Sequence, residues 1–167
     1  MERLCKNIVG AAERIIVQQG IEELNLNSLV NDPELKEMDI SVVLKKEEDI
    51  YILLIDSLDK DIELLLSNSI PGSITPEIEL ELLFKRAFDL FQKKSWYLSV
   101  LFYNSIFEYN ERIDQAIKKI KIKVVDYLSR LINRGKKENV FVTTEDTQTL
   151  VKDILQGIFF SAVFIYR

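Results

Sequence analysis

The chain has 167 residues, of which 47% are hydrophobic and 29% charged, and its 5 glycines and 3 prolines leave a composition that favours helices around one sizeable core. A formal net charge of −5 gives the molecule as a whole no attraction for nucleic acid or anionic membranes. One cysteine excludes an intramolecular disulfide framework, and the absence of histidine removes the commonest general base and metal ligand.

Two helices are predicted at the start of the chain. Apolar residues at helical spacing predict the first over residues 3–19, and Gly20 follows where a helix commonly ends in a left-handed conformation. The second is predicted over residues 26–31, because two side chains that can accept a hydrogen bond from a helix N-terminus stand near its start, Asn25 and Asn27.

Pro33 interrupts this pattern, since it cannot donate an amide hydrogen and disfavours a helical residue before it. The chain is therefore expected to turn near Asp32. A third helix is predicted over residues 34–44, although this range includes several β-branched residues. A long amphipathic helix then begins at Glu47 and ends before Pro71.

Four further helices are predicted downstream. The first starts after Thr75 with Pro76 in its first position, and the second starts after Ser95. The third covers residues 111–133. The fourth starts at Thr143 or Thr144, after a polar loop at residues 135–139. Three glutamates in the first of these helices are explained by the positive end of the helix dipole and by surface charge, namely Glu77, Glu79 and Glu81.

The last helix is apolar on more than one side, and such a helix must be covered on more than one side. It is interpreted either as a central core helix or as one that packs both on its own bundle and on a second copy of the chain. The second interpretation is favoured and predicts a homodimer. The predicted interface residues are Leu155, Ile158, Phe159, Ala162, Val163 and Tyr166.

Aromatic side chains are concentrated between residues 84 and 127. Aromatics at helical spacing are ordinary core residues in most proteins, but pockets between bundle helices are lined in the same way. A cavity for an apolar or aromatic small molecule is therefore a hypothesis for this region. Its predicted lining is Phe84, Phe88, Phe91, Trp96, Phe102, Tyr103, Phe107 and Tyr127.

The order of these elements resembles the TetR family of bacterial regulators. Residues 8–20 look like the family's first helix and its glycine stop, and residues 40–50 occupy the place of its Leu-Tyr-x-Tyr-Phe segment and the start of its fourth helix. Residues 131–135 are similar to the end of its seventh helix. The resemblance implies an all-α fold, with a three-helix helix-turn-helix head at residues 1–46 and a helical ligand-binding and dimerisation domain at residues 47–167.

The same resemblance implies a ligand-responsive transcriptional regulator that binds operator DNA as a dimer. Its DNA-contact residues are predicted as Lys36, Ser41, Lys45 and Lys46. Residues 1–46 nevertheless hold 6 Lys+Arg against 8 Asp+Glu, a net charge of −2, whereas phosphate neutralisation supplies most non-specific DNA affinity. The alternative is a small-molecule-binding or protein-interaction module of the same fold that has lost DNA binding.

An enzyme is not expected, because the sequence carries no glycine-rich phosphate loop, no serine-nucleophile motif and no histidine to complete a catalytic pair. No cofactor or metal is predicted. The chain opens without a secretory signal, and its apolar last stretch is too short to span a bilayer, so no membrane partner is expected and a cytoplasmic location is predicted. One dimerisation helix fewer than in the family is also expected.

Overall fold

The structure is a computed structural model that describes residues 1–67, 74–102 and 110–165, with side chains described as far as residue 157. Its described residues form α-helices, two 3₁₀ helices and turns, with no strand among them, so the predicted all-α fold is confirmed. The α-helices are α1 (Glu2–Gln19), α2 (Leu26–Val30), α3 (Glu47–Ser67), α4 (Pro76–Lys93), α5 (Trp96–Phe102), α6 (Glu111–Lys137) and α7 (Thr147–Ile165).

The chain divides into two compact units. The first comprises Met1–Lys60 and Ser95–Ile117, and the second comprises Asp61–Lys94 and Lys118–Arg167. The division of the sequence after residue 46 into a head and a body stays a prediction.

In the first unit, α1 packs against α2 and α5. It buries Ile8, Ala12 and Ile15 on one face, as the apolar spacing predicted, while α5 buries Trp96 and Tyr97. Gly20 ends α1 with φ 99°, a backbone conformation that side chains with a Cβ rarely adopt, and its amide donates to the carbonyl of Ile16. The predicted first helix and its glycine stop are confirmed.

The short helix α2 is fixed by its N-terminus. The Asn25 side chain accepts a hydrogen bond from the Ser28 amide at 2.9 Å, and the Ser28 hydroxyl accepts one from the Asn25 amide at 3.0 Å. This reciprocal pair satisfies two backbone donors that a helix start would otherwise leave open. Of the two predicted caps, Asn25 is the one used.

The second unit has its own hydrophobic core. Its buried members come from four helices, and they are Leu65, Leu83, Leu128, Ile132 and Val151. Helix α7 packs against α4, and half-buried residues such as Leu150 and Leu155 cover the cluster. The amphipathic patterns of α3, α4, α6 and α7 therefore meet in one core, which explains why their apolar stripes are broad.

Two predicted boundaries in this unit are wrong. Helix α6 continues through Gly135 and ends at Lys137. The chain then turns at Asn139, which has φ 56°, and the Val140 amide donates to the Gly135 carbonyl at 2.9 Å. Helix α7 is capped by Asp146 and not by a threonine, because its carboxylate accepts hydrogen bonds from two backbone amides and a hydroxyl in the next turn. These bonds lower the pKa of Asp146.

Candidate functional site

The segment between α2 and α3, residues 31–46, is where the head was expected to meet DNA. It forms successive turns and one 3₁₀ helix, Ile40–Val42, so the predicted α-helix over residues 34–44 is wrong. The segment is still anchored, since Leu35 is 1% and Leu44 3% exposed. Its backbone is therefore held by apolar side chains without forming a regular recognition helix.

Side chains in this segment take up backbone amides that an α-helix would use. Asp32 Oδ1 accepts a hydrogen bond from the Glu34 amide at 3.0 Å, directly across Pro33. Asp39 Oδ1 accepts one from the Ser41 amide at 3.1 Å. When an aspartate side chain accepts a backbone amide hydrogen, that amide no longer favours an α-helical hydrogen bond. Pro33 lies between the two aspartates and has no amide hydrogen to donate.

Arg14 of α1 pairs with two acidic residues at the beginning of the segment. Its Nη2 lies 2.9 Å from Oδ1 of Asp32, whose side chain is 8% exposed, and its Nη1 lies 3.1 Å from Oε2 of Glu34. One positive charge therefore offsets part of the charge of two acids, and the three groups together keep a net charge of −1. The pairs also fix the first turn after α2 against α1.

The four predicted DNA-contact residues lie on the surface of the first unit. Lys36, Lys45 and Lys46 are exposed. Ser41 is exposed too, but its hydroxyl donates to Asp39 Oδ1 at 2.5 Å, and this hydrogen bond lowers the pKa of the Asp39 carboxyl. Both of the lysines next to α3 are thus accessible to a polyanion, whereas Ser41 already has a carboxylate partner.

The N-terminus of α3 is capped from within. Asp49 Oδ2 accepts hydrogen bonds from the amides of Lys45 at 2.9 Å and Lys46 at 3.0 Å. Its other oxygen accepts one from Arg112 of α6 at 3.0 Å. Burial alone would raise the pKa of Asp49, but the two amides and the guanidinium outweigh it and lower the pKa. A carboxylate therefore occupies the amides that would otherwise face an anion at this helix start.

Glu48 completes this arrangement. It accepts hydrogen bonds from Arg112 at 2.5 Å and from the Asn110 side chain at 2.8 Å, and Asn110 in turn accepts one from the Ile113 amide. The Arg112 bond is the main reason why the pKa of Glu48 is lowered. We call Glu48, Asp49, Asn110 and Arg112 the Arg112 cluster. It joins the starts of α3 and α6, more than 60 residues apart, and no spacing in the sequence could have indicated it.

A groove of about 710 Å³ lies in the second unit, lined by the C-terminal end of α3, the first turn of α4 and residues 123–134 of α6. Its lining combines apolar residues such as Leu66 with the cations Lys123, Arg130 and Arg134 and with Tyr127. A volume of this size falls within the range of small-molecule sites. It is therefore the candidate ligand site in the described part of the chain.

Glu79 is the acidic centre of this groove. It is 4% exposed, and it accepts hydrogen bonds from the Tyr127 hydroxyl at 2.5 Å and from Arg134 Nη2 at 2.6 Å. The interpretation of Glu79 as surface charge is wrong. A signal was present, because Glu79 stands three residues after Pro76 and four before Leu83, which places it on the buried face of α4.

The predicted ligand residues are distributed over both units. Phe84, Phe88 and Phe91 belong to the second unit, where Phe88 is exposed and the other two are half-buried, and Tyr127 lines the groove. The first unit contains Trp96, which is buried against Tyr97 with ring centroids 4.0 Å apart, and the exposed Phe102. Tyr103 and Phe107 lie outside the described residues. Their common cavity stays a prediction.

Of the predicted dimer residues, the structure describes only the side chain of Leu155. Leu155 is half-buried and packs on the core of the second unit. The side chains of Ile158, Phe159, Ala162 and Val163 and the whole of Tyr166 lie outside the description. The homodimer and its interface stay predictions.

In the ranges that the structure describes, no three acidic or cysteine side chains gather in a way that could hold a metal ion. No described helix is long and apolar enough to cross a membrane.

Comparison with known proteins gives a consistent picture at the level of fold. No protein-family model matches the sequence, and no curated protein matches it either. Among solved structures, a TetR transcription regulator from Haloarcula marismortui superposes with a TM-score of 0.81 at 18% identity, covering 98% of this chain and 86% of that one.

Two further solved structures agree. The fatty acid degradation regulator FadR from Bacillus halodurans has a TM-score of 0.77 at 16% identity and covers 95% of this chain and 82% of that one. The MbdR regulator from Azoarcus sp. CIB has a TM-score of 0.75 at 18% identity and covers 98% and 87%. The chain therefore has the fold of TetR-family transcriptional regulators, as the ordered set of sequence features predicted.

Proposed function

We propose that this protein is a ligand-responsive transcriptional regulator of the TetR type, which works in the cytoplasm and binds operator DNA as a homodimer. The observation that carries the proposal is the fold itself. The chain matches these regulators over 95% to 98% of its length. The same fold serves many functions, and residues of this chain give the proposal its own support.

The head offers such support at the start of α3. Lys45 and Lys46 are exposed and consecutive, and Asp49 fixes the backbone from which both side chains project. Two preorganised lysines suit contacts to successive phosphates, which position a protein on the duplex. Lys36 is exposed on the preceding turn and adds a third cation. Arg14 offsets part of the negative charge of Asp32 and Glu34, and it is already counted in the net charge of −2.

A second candidate function is a ligand-binding or protein-interaction module of the same fold without DNA affinity. It is favoured by the absence of a regular α-helix in residues 31–46, since a helix in the major groove is how helix-turn-helix proteins read bases. It is also favoured by the carboxylates of Glu48 and Asp49 at the start of α3, which oppose a phosphate there.

A DNA-binding assay distinguishes the two candidate functions. It uses fluorescent duplexes that are random in sequence or taken from the DNA upstream of the coding sequence. We expect salt-dependent binding by fluorescence anisotropy, and the double variant Lys45→Ala/Lys46→Ala should bind more weakly. Each lost phosphate contact reduces the slope of log K against log salt by about 0.9, so the double variant should lose up to about 1.8.

The matched control is Lys121→Ala/Lys137→Ala, which changes the net charge equally at two exposed lysines of α6. It should leave the slope unchanged if the start of α3 is the contact site. A folded, dimeric protein that binds no duplex at low salt would contradict the regulator and support the module without DNA affinity.

A further inference from the structure

We infer that the groove of the second unit binds a small organic anion, in which a carboxylate is attached to an apolar or aromatic body. This inference rests on the ligand-responsive part of the proposed function and names the class of its ligand. The groove presents cations from α6 beside the apolar side chains of Leu66 and Leu131. The charge of the ligand follows from which charged side chains of the groove are already paired within the protein.

Two acids of the groove are consumed by internal pairs. Glu79 accepts from Tyr127 and from Nη2 of Arg134, which leaves its carboxylate oxygens engaged in two short hydrogen bonds. Glu63 is paired with Lys123 across the groove lining. A cationic ligand would therefore have to compete with an existing partner at either carboxylate.

Two arginines, in contrast, keep donors to spare. Nε of Arg134 is buried without a hydrogen-bond partner, and Oε1 of Glu138 is 3.9 Å away, beyond hydrogen-bond distance. Buried donors rarely remain unpaired, so this N–H can take a further acceptor in the site. Arg130 is exposed, and its Nε donates to the backbone carbonyl of Asp126 at 3.3 Å, while no ion pair of its guanidinium occurs among the described residues.

The two arginines stand four residues apart on α6, so they lie one above the other on the same face, about 5–6 Å between Cβ atoms. Guanidinium groups present planar forks of donors that match a carboxylate better than a spherical ion. A carboxylate placed between them would accept from Nε of Arg134 and from the terminal nitrogens of Arg130. Leu66, Leu131 and the ring of Tyr127 then form the wall for the apolar body.

Asp126 is the opposing charge in this arrangement. Asp126 also lines the groove, one turn before Arg130, and its negative charge repels an anion there. Its removal should therefore strengthen the binding of an anion, which is the opposite of what general damage to the groove would cause. This sign makes Asp126 a sharp test of the ligand's charge.

The test compares naphthalene-2-carboxylate with naphthalene-2-carboxamide, which have the same shape and differ in charge, by calorimetric titration of the full chain at pH 7. We expect the carboxylate to bind at least tenfold more tightly than the carboxamide. It should also shift the NMR resonance of the Arg134 Nε–H group, and the carboxamide should leave that resonance in place. The assay contains no DNA, so a failure of operator binding does not affect its outcome.

The variants separate charge recognition from general effects. Arg130→Ala should reduce the preference for the carboxylate to threefold or less, and Asp126→Asn should increase the affinity for the carboxylate. Lys121→Ala, which removes an exposed cation of α6 outside the groove, should leave the preference unchanged. Equal binding of the two probes, no binding of either at millimolar concentration, or equal effects of Arg130→Ala and Lys121→Ala would overturn the inference.

Discussion

The substitution Glu79→Ala tests whether the buried carboxylate holds α4 and α6 together in the second unit. Glu79 is 4% exposed and receives charged hydrogen bonds from Tyr127 and Arg134. Alanine would remove both bonds, and it would leave the Arg134 guanidinium, 23% exposed in its side chain, without its main anionic partner. The variant therefore loses attraction and retains part of a desolvation penalty.

The size of the effect follows from these two terms. Breaking one side of a buried ion pair costs about 3–5 kcal/mol, and hydrogen bonds to charged groups contribute about 1.5–3 kcal/mol each. Because water reaches Arg134, we expect a value at the lower end, a decrease of about 3 kcal/mol in the free energy of unfolding. Tyr127→Phe removes only one of the two bonds and should cost about 1.5 kcal/mol.

Urea unfolding followed by circular dichroism measures these differences. Glu81→Ala is the matched control, because Glu81 is an exposed glutamate on the same helix two residues further on. Its free energy of unfolding should stay within about 0.5 kcal/mol of the unsubstituted chain. A loss of less than about 0.5 kcal/mol for Glu79→Ala would refute the role of the Glu79 carboxylate in holding α4 and α6 together.

Two further predictions concern other parts of the fold. The carboxylates of Glu48 and Asp49 in the Arg112 cluster have lowered pKa values in the folded chain. The stabilisation that they contribute is present above their ordinary pKa values of 4.5 and 3.8, and it is lost as the pH falls through their folded-state pKa values. Arg112→Ala should therefore reduce the acid-induced loss of stability, measured by unfolding between neutral pH and pH 3. Gly135→Ala should destabilise the chain by about 1–3 kcal/mol, because a Cβ there would lie 2.1 Å from the ring of Phe141. Gly10→Ala should instead stabilise α1 by about 0.5–1 kcal/mol, because its Cβ would meet nothing closer than 3.8 Å; equal melting temperatures for the two variants would contradict this reasoning.

The helices could be predicted because their signals are local. Apolar spacing, the glycine stop after α1, Asn25 and Pro76 all act within one or two turns, and the structure confirms each of them. The segment after Pro33 was predicted wrongly because its helical spacing competes with side-chain bonds from aspartates, which propensity alone does not weigh.

The candidate site was less accessible to sequence reasoning, because its pairs join distant parts of the chain. Arg134 lies 55 residues from Glu79, and Arg112 lies 64 residues from Glu48. A charged residue with a distant partner looks the same in the sequence as a solvated one. Only the helical phase of Glu79, shared with Leu83, distinguished it from the exposed glutamates on either side.

The positions of the charged residues matter more for DNA binding than the net charge of residues 1–46. The net charge of −2 over residues 1–46 already includes Arg14, whose single positive charge lies between Asp32 and Glu34. The acids that oppose DNA most directly are instead those at the start of α3, and Arg112 from outside this range neutralises part of their charge. DNA binding by residues 1–46 therefore depends on the cations that Lys45 and Lys46 present, and a salt series on variants of these two lysines measures how many phosphate contacts they make.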